Sequence, residues 1–267
     1  MDIPYSRWYP AISIRRSRRL FDQKTIPSEL LEKISAFCKA FRPFAGVRAA
    51  IVTDSPDTVF KGAIGHYGKI KGATAFIAFI GDMRDAHVQE KVGYSGEGII
   101  LEATALGLGT CWVGGFFRPE TAASLSHIRE NEKVLAVTPI GYASERVSFE
   151  EKIMTGFGRT HKRKPVDELV TGMEADKRPQ WIKTALEAAR VAPSAVNRQP
   201  WRFHVEDDSI TISVDTPRDT YYISKRLDCG IAMLHIETAS LYCGVKGEWE
   251  FLKTPEVAKF QEISANK

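Results

Sequence analysis

APSAVNRQPWRF, residues 192–203, is a polar loop with proline near either end and an aromatic residue behind it. Pro193 and Pro200 fix the main chain and remove two backbone donors. Between them Ser194, Asn197 and Gln199 offer hydroxyl and amide groups that both give and accept hydrogen bonds. A simple proline-bounded turn with a self-bonding asparagine is the plainer reading of such a loop. Working outward, Trp181 to Val191 reads as a helix leading into the loop. Trp201 to Asp215 reads as two short strands around Asp207-Asp208-Ser209, a hairpin.

A second dense stretch lies near the other end of the chain. RRSRRLF, residues 15–21, packs four arginines around one serine. In an extended segment Arg15, Ser17 and Arg19 face one way, and Arg16 and Arg18 the other. Arginine presents a planar fork of donors that grips phosphate oxygens in pairs. Composition alone reads such a run as a solvated basic surface.

Together the two stretches resemble the nitroreductase family of FMN-dependent oxidoreductases. Arg15, Ser17 and Arg19 match its first motif position by position, and the string around Asn197 and Gln199 resembles its second. Ala195 departs from it, standing where a serine or another small polar residue is frequent. The resemblance implies that Arg15 and Ser17 serve the phosphate and ribityl side, and Arg16 beside them is counted among the cofactor-binding residues. It puts Arg19 near the pyrimidine edge, and Pro193, Ser194, Asn197 and Gln199 against the ribityl chain and ring. In that family the two motifs normally lie close together in one subunit, and each flavin is built from two subunits. Here they lie at opposite ends of one chain. The implied fold is α+β, nitroreductase-like, an antiparallel-rich sheet flanked by helices, with two half-copies fused as an intramolecular pseudo-dimer.

A weak internal repeat agrees. Gly107 follows Gly93 at the distance at which Gly244 follows Gly230, and Trp112 and Trp249 stand equally far on. Each half also opens with a proline-led helix. The segment from Pro27 to Phe41 carries Leu30, Leu31, Ile34, Phe37 and Cys38 at helical spacing. In the other half Pro179 precedes Trp181. Val47 to Thr53, Ala73 to Ile80 and Val134 to Tyr142 read as strands. Long helices are expected from Gly93 to Leu106 and from Gly230 to Cys243. The polar, aperiodic stretch from Val166 to Asp176 marks the boundary, giving halves at 1–172 and 173–267. The losses are complementary. FRPFAGVRA, after the first helix, lacks the serine, asparagine and glutamine of the second motif. DKRPQW, before the later helix, lacks the arginine–serine motif. One complete flavin site per chain is the expectation.

GLGTCWVGGF, residues 107–116, is the third element. Glycine lets a backbone approach a flat ring closely. The resemblance implies that the segment Val113, Gly114, Gly115 runs past the flavin N5, with Gly114 as main-chain donor; the glutamate common there is missing. A helix cap followed by a buried strand is the plainer reading. Lys69, in GHYGKIKGA, resembles a family lysine at the flavin edge. The basic stretch Arg159, Lys162, Arg163, Lys164 resembles a second phosphate patch, from which Lys162 and Lys164 are chosen. Solvated loops read equally well for both.

The remaining composition is that of an ordinary globular chain. Of 267 residues 43% are hydrophobic and 26% charged, with a net charge of +4, too small to argue for nucleic acid. No CxxC occurs among the four cysteines, which fits a reduced, cytoplasmic protein. No run reaches the roughly 18 apolar residues of a membrane span. The histidines show no metal-ligand spacing, no GxGxxG follows a strand, and no GxSxG appears. The resemblance implies ping-pong transfer of a hydride from NAD(P)H through FMN to a nitroaromatic, quinone or similar acceptor. The flavin carries that chemistry, so no catalytic side chain is named. Other flavin chemistry on the same fold (reductive dehalogenation, flavin fragmentation), a flavin storage protein and a protein that binds no flavin stay open. The expected partner is a small acceptor, with no nucleic acid or membrane. Fusion is compatible with a monomer and with further association.

Overall fold

The computed structural model describes residues 2–60, 70–144, 162–220 and 222–263. Helix α1 (Tyr5–Ile14) precedes the arginine-rich stretch, and α2 (Ser28–Ala40) follows it. Pro27 caps α2, Glu29 sits in its first turn and Lys39 in its last, each suited to the helix dipole. Ile34, Phe37 and Cys38 face inward as the periodicity predicts. The first sheet contains β1 (Val47–Val52), β2 (Ala75–Asp82), β3 (Gly109–Thr110) and β4 (Glu132–Gly141), in the order β1-β2-β4-β3 and antiparallel throughout. Strand β2 is central, and Phe76, Ile77, Phe79 and Ile80 are at most 2% exposed. Each such side chain contributes roughly 1.5–3 kcal/mol on burial. Short helices α3 (Pro56–Phe60) and α5 (Pro119–Leu125) accompany this sheet.

The second sheet contains β5 (Val170–Gly172), β6 (Trp201–Val205), β7 (Ser209–Val214), β8 (Gly247–Phe251) and β9 (Glu256–Glu262), in the order β5-β6-β7-β9-β8. All its pairs are antiparallel except β5 with β6. Without β5, its strand order repeats that of the first sheet. The helices repeat as well. Helix α2 leads into β1 as α6 (Gln180–Arg190) leads into β6. Helix α4 (Val88–Ala105) joins β2 to β3 as α7 (Lys225–Tyr242) joins β7 to β8.

Helix α4 packs on the first sheet, α7 on the second, and the two pack against each other between the sheets. Their crossing is reciprocal. A Cβ on Gly93 would lie 2.0 Å from the Leu227 carbonyl oxygen, and one on Gly230 would lie 2.0 Å from that of Glu90. These glycines sit inside their helices rather than opening them. Both helices therefore start earlier than expected, at Val88 and Lys225. Both also end in the same turn. Gly107 N–H donates to Thr104 O and Leu108 N–H to Ala103 O, while Gly244 and Val245 make the matching bonds to Leu241 and Ser240. Helix α1, with Pro10 inside it, and the β8–β9 hairpin were not foreseen.

Candidate functional site

The stretch from Arg15 to Phe21 is extended along the first sheet. Ser17 bridges Thr110 in parallel, and Arg18 N–H donates to Thr110 O at 2.8 Å. Side chains alternate as expected. Arg15 is buried, Ser17 and Arg19 are half-buried, and Arg16 and Arg18 are exposed. Arg16 turns back to donate to Ser13 O and Arg15 O. Arg15 is 7% exposed. Its Nε stands 3.9 Å from Glu97 Oε1, and its Nη1 is buried with no partner among the described residues. Burial pushes its pKa down, against the pull of Glu97.

Glu97 and His235 are both fully buried, one on each long helix. His235 Nδ1 lies 2.8 Å from Ala188 O, and its Nε2 lies 3.0 Å from Glu97 Oε1. A carbonyl only accepts, so Nδ1 carries a hydrogen. A further hydrogen must sit between Nε2 and Oε1. Trp112 Nε1 donates to the other carboxylate oxygen at 2.6 Å. The pair thus joins α4, α7, the glycine-rich segment and the first arginine.

The loop at 192–203 is tightly wound. Val196, Asn197 and Gln199 have φ of 50°, 56° and 49°. Left-handed backbone is rare for a β-branched residue, and strain of this kind gathers at functional sites. Ser194 Oγ accepts from Gln199 N–H. The amides of Asn197 and Gln199 grip residues 162–164. Asn197 and Gln199 both donate to Lys162 O, Gln199 Oε1 accepts from Lys164 N–H, and Arg163 donates to Asn197 Oδ1. Asp228, in the first turn of α7, holds the loop from below. It accepts from Ala195 N–H at 3.1 Å and from Arg198 Nε at 2.7 Å. Burial pushes its carboxyl up to about 6, in spite of Arg198 and the Ala195 N–H.

Residues 162–164 bring the two motifs together. Arg163 is pulled down to about 10, first by burial and then by the charges of Arg15, Arg190 and Arg16. No carboxylate pairs with Arg163 among the described residues. Lys162 is exposed and Lys164 half-buried. Burial, then Arg202, lowers the Lys164 pKa. The glycine-rich segment closes the same region. Val113 N–H is spent on Val137 O, whereas Gly114 N–H has no partner among the described residues. Gly114 abuts Ile223, where a Cβ would come within 3.2 Å, and Gly115 is exposed. Ile223 O in turn accepts from Arg198. Pro193 is buried. Lys69 and Arg159 lie outside the described residues.

An anionic group fits this arrangement. Arg15 Nη1 is buried and unpartnered among the described residues, and Arg163 sits among like charges. A phosphate would satisfy the forks and relieve the repulsion. Sequence reading missed Glu97, His235, Arg198 and Asp228. Charged residues on otherwise apolar helices were the available signal for three of them. Among the described residues no cluster could hold a metal ion, and no helix is long and apolar enough to cross a membrane.

A family model described as "Putative TM nitroreductase" matches residues 7–240. The crystal structure of a "putative nitroreductase" from Thermotoga maritima is similar at 20% identity, covering 98% of this chain and 96% of that one, with a TM-score of 0.66. A nitroreductase with bound FMN from Bacteroides fragilis is 18% identical, covering 52% of this chain and 89% of its own, at a TM-score of 0.41. A nitroreductase family protein from Clostridium novyi is 22% identical over 54% and 87%, at 0.44. No curated protein matches the chain.

Proposed function

Because the chain belongs to this nitroreductase family, matched over residues 7–240, we propose that it is an FMN-dependent NAD(P)H oxidoreductase made of two fused halves with one flavin site. The observation that supports the reading most is the meeting of both motifs at Arg163, which donates to Asn197 and feels the charge of Arg15, whose Nη1 is buried and unpartnered among the described residues. Arg15, Ser17 and Arg163 would hold the phosphate. Arg19 would place positive charge near the ring, and the Gly114 N–H, unpartnered among the described residues, would bond its edge. Residues 192–199 would wall the ribityl side. When bound, FMN supplies the redox chemistry, taking a hydride from NAD(P)H and passing electrons to a nitroaromatic, quinone or similar acceptor in a ping-pong cycle. The protein's part is to bind, orient and set the charge around the ring, and no side chain is assigned as catalytic.

The equal strand order of the two sheets, the reciprocal glycine contact and the twin helix ends support the two-half reading. The single-site reading is supported by what fills the corresponding region of the other half. Two residues beyond Trp112 stands Gly114, but two beyond Trp249 stands Phe251. The Phe251 ring packs on Phe44 at 5.4 Å, with the Lys91 ammonium 4.8 Å above it. Phe44 lies in 41–46, a shorter connection than 191–200. A cytoplasmic setting and function as a monomer belong to the same proposal.

The test is titration of the purified chain with FMN, followed by flavin fluorescence, then addition of NADH or NADPH under nitrogen. Saturation at one FMN per chain and bleaching by a nicotinamide are expected. Binding without bleaching would make it a flavin carrier, and no binding at micromolar concentration would end the enzyme reading.

A further inference from the structure

Strand β1 ends its sheet, with β2 on one side and no strand on the other among the described residues. Its bonding direction can be worked out. Asp82 N–H donates to Gly46 O at 2.8 Å, one step beyond the Val47–Gly81 pair. Antiparallel pairs alternate, so Arg48, Ala50 and Val52 bond inward to β2. Val47, Ala49 and Ile51 then turn their N–H and C=O groups outward.

A groove of about 250 Å³ runs along this edge, lined by Arg48, Ala49, Ala50 and Ile51 in succession. Successive side chains face opposite sides of a sheet, so four in a row border one groove only along the strand's edge. Lys39, Arg42 and Arg129 also line the groove. Lys39, Arg42 and Arg129 are exposed and make no side-chain hydrogen bond or ion pair among the described residues. Arg48 alone is paired, with Glu132 at 2.7 Å. The Cys38 thiol in the same groove is pushed up to about 12 by burial and stays neutral.

The molecule shows what such an edge accepts. Strand β6 holds the place in the second sheet that β1 holds in the first, and β5 lies against it in parallel, pairing Val170 with Phe203 and Gly172 with Val205. Phe203 N–H donates to Leu169 O, and Met173 N–H to Val205 O. We propose that the outer edge of β1 docks an extended, acidic peptide segment of a partner protein as an added strand. Main-chain bonds to Val47, Ala49 and Ile51 hold the strand, and carboxylates meet Lys39, Arg42 and Arg129. Cations on a bare edge repel basic partners and still admit an acidic one.

The test uses the full-length chain and a fluorescein-labelled peptide, Glu-Val-Glu-Val-Glu-Val, with its Lys-Val counterpart, read by anisotropy. Saturable binding of the acidic peptide alone is expected. Ala49→Pro removes only an outward N–H and weakens binding about tenfold or more, as does Lys39→Glu with Arg42→Glu. The charge-reversed pair sits on exposed positions and keeps the test valid if the proline variant fails to fold. No binding would mean that the cations only guard the edge. Binding displaced by pyrophosphate and untouched by Ala49→Pro would make this a small-anion site. Either result overturns the proposal.

Discussion

Glu97 receives Trp112 on one oxygen and the His235 ring on the other, with Arg15 standing off at 3.9 Å. Removing His235 leaves a fully buried Glu97 oxygen without its hydrogen-bond partner. His235→Leu should cost about 3–5 kcal/mol in urea unfolding. His235→Leu with Glu97→Gln should cost less than His235→Leu alone, because the carboxyl group left bare goes as well. Arg15→Ala should weaken FMN binding roughly tenfold to a hundredfold in a fluorescence titration, the value of about one or two charge-assisted bonds. Arg15→Lys keeps the charge and loses the fork, so it should rescue only part of the affinity. Asp228 gives a pH dependence. Its folded carboxyl sits at about 6, above its ordinary 3.8, so the folded chain holds this proton the more tightly. Its contribution to stability is complete below 3.8 and disappears as pH rises through 6. In Asp228→Asn that component of the slope between those values should vanish, as urea unfolding at several pH values would reveal. At this scale Arg15, Ser17 and Arg19 were readable from their alternation. The left-handed turn at Val196 was not, since nothing in valine favours it.

Among the elements, the crossing of α4 and α7 is the most demanding. Gly93→Ala would set a methyl 2.0 Å from a carbonyl oxygen, with no flexible side chain to give way. A loss of about 1–3 kcal/mol or more is expected, visible as a lower melting temperature. Helix α2 was legible from its helical period, and β2 as an unbroken apolar run of strand length, buried on both faces. Helix α1 was hidden by Pro10, which lacks the N–H that a helix interior uses and so reads as a break. The starts of the long helices were misjudged because Gly93 and Gly230 were read as boundaries, while their role is close approach. Strand β8 alternates half-buried and exposed residues and sends few apolar side chains inward, so its pattern was faint.

For the whole molecule, the two-part site was suggested by motif spacing, and residues 162–164 are what join its parts. That bridge was only partly legible, because a basic run looks the same whether it is solvated or packed. The proposed single site has a measurable consequence in stoichiometry. Absorbance of reconstituted, desalted protein should give one flavin per chain, and a value of two would refute the aromatic plug at Phe44 and Phe251. The glycine crossing carries a mechanical consequence too. Where main chain meets main chain, no rotamer can act as a cushion, so a push on one long helix reaches the other undiminished. The two sheets therefore move as one stiff frame. Any breathing that the proposed cycle needs would then come from the loops at 162–164 and 192–199, with the frame keeping its gauge.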